Sequence, residues 1–172
     1  MKNFLLSLFI LASVQIAANS ILIKGGMVHT GTGEGAKLQD ILITGKVITD
    51  IGNNLVIDGN TQVIEVNGLP VTPGLISPMS NIGIVEINAL DVTRDDESEL
   101  LKSGFSIFNA FNPHSTGIPW NRSNGVTSAI SSPSASSFPL FGLGSHFILD
   151  GSIDIKGSKD IAMFGRIGSS YG

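Results

Sequence analysis

A chain without cysteine has no thiolate ligand and no thiol nucleophile, so any chemistry here falls to imidazole, carboxylate and hydroxyl groups. There are three histidines, His29, His114 and His146. No two of them fall at a ligand spacing such as H-x-H or H-x-x-x-H, which makes them surface or structural residues by this test. Asp91, Asp95, Asp96, Glu97 and Glu99 form an acidic group. Clustered oxygens can hold a hard cation, but the alternating ligands and glycine of a calcium loop are missing. The other reading is a solvated loop entering a helix over Glu97 to Lys102, with Asp95 or Asp96 as its cap. Serines are plentiful, yet no strand-to-helix context marks one as a nucleophile. The loop Gly31-Thr32-Gly33-Glu34-Gly35 has the glycine content of a phosphate cradle. The chain then leads into another strand instead of the helix whose N-terminus would face a phosphate, so a hairpin loop is expected. Asn121-Arg122-Ser123 fits a glycosylation sequon.

Composition narrows the classes further. The 172 residues are 42% hydrophobic and 14% charged, with 10 basic and 14 acidic side chains. Soluble domains usually carry about 25% charge, so this chain should fold or sit in a membrane. The net charge of −4 and the scattered lysines and arginines exclude nucleic acid as a partner. Lys2, the apolar run from Phe4 to Val14 and the small residues Ala18-Asn19-Ser20 have the order of a secretory signal peptide over residues 1–20. Eleven apolar residues reach about 16 Å as a helix, roughly half a bilayer core, so cleavage is expected and not a membrane span. No later stretch is long and apolar enough to span. The predicted location is therefore the periplasm or the extracellular space.

The elements that would position these residues begin with short strands. From Ile21 to Val71 the hydrophobic period is two and the breaks are turns, the pattern of antiparallel strands. Ile21 to Lys24 and Met27 to Thr30 flank Gly25-Gly26. Ile41 to Thr44 and Lys46 to Ile51 flank Gly45, and Val63 to Val66 ends at Asn67-Gly68, the strongest hairpin dipeptide. After Pro70 the character changes, with the short apolar run Val71-Thr72-Pro73-Gly74-Leu75-Ile76. Further on, Val126 to Ile130 reads as a strand, and 131–137 as a serine-rich loop. Ser145 to Leu149 and Ile153 to Lys156 read as a hairpin about Asp150-Gly151, with a strand or helix start at Ile161 to Phe164.

The string from Asn67 to Gly83, N-G-L-P-V-T-P-G-L-I-S-P-M-S-N-I-G, follows a Gly-Lys-Val-Ile-Thr-Asp-Ile-Gly hairpin. Together they resemble the N-terminal region of the amidohydrolase superfamily, the metal-dependent hydrolases that include imidazolonepropionase-like enzymes. The resemblance extends through Asp91 to Asp95, Phe108 to Thr116, Ile118 to Arg122, Gly125 to Thr127 and Phe147 to Gly151. It implies a mixed β then α/β fold: a β-sandwich portion over 21–73, then the first strands of an incomplete TIM-like (β/α)8 barrel over 74–172. A barrel of eight units takes about 250 residues, so two or three units would be present.

By the same resemblance the family's activity is metal-dependent hydrolysis of C–N bonds other than peptide bonds, with zinc or another divalent cation. Its His-x-His metal ligands fall at Met79 and Asn81, and the aspartate usual after P-G-L-I is Ser77. A thioether and a neutral amide are poor donors for a catalytic zinc. The expectation is therefore no cofactor and no catalytic residue in this chain, which would be the inactive N-terminal piece of a longer amidohydrolase-like protein. The alternatives are an exported non-catalytic β-rich binding or structural module, or one half of a split enzyme. Unclosed sheet edges would favour self-association or a complementing chain.

Overall fold

The computed structural model describes residues 19–135, 137–166 and 168. All of the signal-peptide reading except Asn19 and Ser20 lies outside the described residues. The described residues divide into two compact units, one up to Pro73 and one from Gly74.

The first unit is one mixed sheet. Its strands are β1 (Ser20–Val28), β2 (Lys37–Thr44), β3 (Val47–Gly52), β4 (Gln62–Glu65) and β5 (Pro70–Val71). The order is β3-β2-β1-β4, with β5 also beside β1. Gly45 makes the predicted β2–β3 hairpin, whose strands run antiparallel. The two strands expected on either side of Gly25-Gly26 are one strand, β1, with a bulge between Ile23 and Gly26. The Asp40 carboxylate accepts from the Gly25 N–H at 2.8 Å, which gives the bulged amide a partner. A Cβ on Gly26 would stand 2.7 Å from a Val71 methyl, so the glycine is what lets β5 lie close.

One pairing differs from the sequence reading. Asn67 and Gly68 do adopt positive φ, 48° and 80°, as the dipeptide predicts. The strands on either side of them do not form a hairpin with each other, however; β4 and β5 both run parallel to β1. The turn is a kink matched to the β1 bulge, held by Gly68 N–H donating to the Gly25 carbonyl at 2.6 Å. The sheet is therefore mixed and not antiparallel.

The second unit contains β6 (Leu75–Ser80), a short helix α1 (Gly117–Ser123), β7 (Val126–Ser131), β8 (Leu140–Ile148) and β9 (Gly157–Gly165). These strands form one sheet in the order β6-β7-β8-β9. β6 and β7 are parallel, whereas β7–β8 and β8–β9 are antiparallel. Ile84, Ile107, Phe111, Ala129, Phe147 and Leu149 are buried together. At the centre Phe111 stacks on Phe147, with ring centroids 3.8 Å apart and planes 10° from parallel. Gly83 makes this stack possible, because it sits at φ 79° and a Cβ there would come within 2.2 Å of the Phe111 ring.

These observations overturn the expected barrel. Between β6 and β7 the chain forms three single 3-10 turns at Asp91–Thr93, Lys102–Gly104 and Ile107–Asn109, then α1, the only α-helix among the described residues. That connection is rich in Asn, Gly and Ser and is broken by Pro113 and Pro119, and the buried Ile82 and Ile84, like Phe105 and Ile107, stand two apart, so nothing drives a long amphipathic helix. β8 and β9 then fold back antiparallel where a barrel needs parallel strands separated by helices. The β-rich, sandwich-like part of the expectation stands. The helix expected over Glu97 to Lys102 is likewise replaced, by one turn in which Lys102 N–H donates to Ser98 O at 2.9 Å, followed by a 3-10 turn. The hairpin strand expected at Ile153 to Lys156 is loop, and the second strand of the pair is β9.

Candidate functional site

Because β6 and β7 are parallel, their carboxyl ends open on the same side. The register slips between Ser77 and Ser80, where three steps along β6 match two along β7. Pro78 in this interval cannot donate to a ladder, which suits an edge strand, and Met79 adopts a left-handed φ of 51°. The bulge leaves Met79 73% exposed. Beyond it a crevice of ≈ 360 Å³ is lined by Met79, Ser80, Asn81, Ser132, Pro133 and Ser134. Ser132 N–H donates to Ser80 O at 3.0 Å, which carries the β6–β7 pairing one residue past β7.

Asp96 supports this crevice from behind. It is 1% exposed. Its Oδ2 accepts from Arg94 Nη2 at 2.8 Å and from the Ser134 hydroxyl, and its backbone carbonyl accepts from Ser134 N–H at 2.8 Å. Arg94 Nη1 donates to Asn88 O at 3.2 Å, and Asn81 Nδ2 to Asn88 Oδ1 at 3.4 Å. The Ser80 hydroxyl and Asp96 Oδ1 are buried and have no hydrogen-bond partner.

The residues singled out in the sequence are mostly dispersed. His29 follows β1 and His114 lies in the loop before α1, both exposed, while His146 is half-buried on β8. Of the acidic group only Asp96 is buried; Asp91, Asp95, Glu97 and Glu99 are exposed. Asp96 caps no helix. Among the described residues no three His, Asp or Glu side chains stand close enough to share a metal ion. The Gly31 to Gly35 loop joins β1 to β2 and no helix follows it. In the sequon, Asn121 Nδ2 is spent on Gly117 O at 2.8 Å. Arg94, Ser80 and Ser134 were not singled out. Ser134 sits in a serine run that reads as plain loop, and its partner Asp96 is 38 positions away.

No family model matches the sequence, and no curated protein matches it. Among solved structures the chain is similar to an amidohydrolase from Thermotoga maritima MSB8, at a TM-score of 0.68 and 24% identity over 87% of this chain. The fold is amidohydrolase-like. The chain spans 39% of the length of that protein. An amidohydrolase-like fold suggests a divalent metal, and the residues present do not fit one. Met79 offers a thioether turned to solvent and Asn81 a neutral amide, and neither supplies the imidazole or carboxylate that zinc needs.

Proposed function

We propose that this chain is the N-terminal portion of an exported amidohydrolase-like protein whose family reaction is hydrolysis of C–N bonds other than peptide bonds, and that the portion alone does not carry out that reaction. The likeness to the Thermotoga maritima amidohydrolase, which covers nearly all of this chain and 39% of that one, carries the reading. Inactivity follows from the donors at the carboxyl end of β6. Without an imidazole or carboxylate pair there is no means to bind a divalent ion and lower the pKa of its water. What this chain's residues do is shape and polarise a crevice: Arg94 and Ser134 hold the Asp96 carboxylate, and Ser132 holds the end of β6. Leu75 and Ile76, on the edge strand β6, are 55% and 60% exposed, which supports a complementing segment or a second chain along that edge. The donor set equally favours a second reading, an exported non-catalytic binding module.

The nucleotide sequence that follows the coding region tests the first reading. It should encode further segments of the same fold, with histidine and aspartate ligands of their own. Unrelated sequence there would contradict it.

A further inference from the structure

We infer that Met79 is a modification site: hydroperoxides oxidise its thioether to the sulfoxide ahead of the other described methionines, and the new oxygen takes a hydrogen bond from Ser132 in the crevice beside β6. This inference does not depend on the hydrolase reading. It rests on exposure and on one hydroxyl left over in the lining. The chain has no cysteine, so its methionines carry all of its sulfur. Met27 on β1 is half-buried between its strand neighbours Leu38 and Pro70, and Met163 on β9 stands opposite Leu143 and is 47% exposed. Met79 is 73% exposed and projects from a bulge. Of the three it offers a peroxide the freest approach to sulfur.

The step needs no group from the protein. A sulfur lone pair attacks one peroxide oxygen, the S–O bond forms as the O–O bond breaks, and the proton on the transferred oxygen passes to the departing one, which leaves as water. Sulfur gives up two electrons and the peroxide takes them. The lining decides what the product does. Asn81 Nδ2 is committed to Asn88 Oδ1 and the Ser134 hydroxyl to Asp96, whereas the Ser132 hydroxyl bonds no group among the described residues and lines the same crevice as Met79. A thioether sulfur is a weak acceptor and a sulfoxide oxygen a strong one, so oxidation gives that free donor a partner. The change stays local. Met79 lies outside the buried core, and the end of β6 remains held by Ser132 N–H donating to Ser80 O at 3.0 Å.

The test is limited oxidation of the full 15N-labelled chain with dilute hydrogen peroxide, followed in time by peptide mass mapping and by nuclear magnetic resonance. Met79 should gain oxygen about threefold faster than Met163, and Met27 should be slowest. The Ser132 amide should shift in step with conversion of Met79, and return when methionine sulfoxide reductase and dithiothreitol remove the oxygen. In Ser132→Ala the oxidation rate at Met79 should be unchanged while the accompanying shift of the Ser134 amide is lost. In Met79→Leu the Ser132 amide should ignore peroxide. If Met79→Leu does not fold, the reductase arm decides. Earlier oxidation of Met163 or Met27, a Ser132 amide unmoved by full conversion of Met79, or the same shift in Met79→Leu would each overturn the inference.

Discussion

Arg94 Nη2 lies 2.8 Å from Asp96 Oδ2, and the pair joins an aspartate side chain that is 1% exposed to an arginine side chain that is 30% exposed. The Arg94 side chain also reaches Asn88 O, so it ties together the two sides of the loop that Val85 and Arg94 bridge. Removing the cation leaves a buried carboxylate with only the Ser134 hydroxyl as donor. Arg94→Met should cost about 3 kcal/mol of stability, read from urea denaturation. A loss below about 1 kcal/mol would mean that solvent reaches Asp96 and the pair behaves as a surface one.

Gly83 carries a second prediction. Alanine there needs both a positive φ and the space that the Phe111 ring fills. Gly83→Ala should destabilise by about 3 kcal/mol through overpacking and strain together. Combining it with Phe111→Leu should recover part of that loss, which a double-mutant cycle would measure.

The stacked rings predict a third effect. Phe147 is completely buried between β7 and β9 and faces Phe111. Phe147→Ala should cost about 4 kcal/mol by calorimetry, the usual range for an emptied aromatic site.

The connection from β8 to β9 gives a pH prediction. The Lys156 ammonium hydrogen-bonds the Asp150 carboxylate and, with the Ser152 N–H, holds its pKa below the ordinary aspartate value. The same bond holds Lys156 above the ordinary lysine value. A lowered carboxylate pKa contributes stability that is present above about pH 3.9 and lost as pH falls through the folded value. A raised lysine pKa contributes stability that is present below about pH 10.4 and lost as pH rises past it. Between those limits the pair should be insensitive to pH. The 13C titration of the Asp150 carboxyl group should move up toward the ordinary range in Lys156→Met, with the part of the lowering that comes from the Ser152 N–H remaining.

Much of the local structure can be read from the sequence, and its pairing much less so. Gly45 predicts the β2–β3 hairpin because a tight turn fixes which strands meet. Val126 to Ile130 falls within β7, while Val63 to Glu65 pairs with β1 over forty residues away, and a period of two does not encode a partner. Asn67-Gly68 predicts its own backbone angles correctly and the neighbouring pairing incorrectly for that reason. The barrel expectation fails where the sequence between β6 and β7 lacks a helical stripe. At the site, Met79 and Asn81 are legible because P-G-L-I anchors their positions. Asp96 is not, since a carboxylate within an acidic run looks solvated until the fold brings Ser134 and Arg94 to it.

The central claim is that the carboxyl ends of β6 and β7 form a polar crevice that holds no catalytic metal. Calorimetric titration of the whole chain with zinc, at a concentration where a catalytic site would saturate, tests it directly. We predict well under one zinc bound per chain, with no change when Asn81 is replaced by alanine. One zinc per chain, weakened in Asn81→Ala, would contradict the claim.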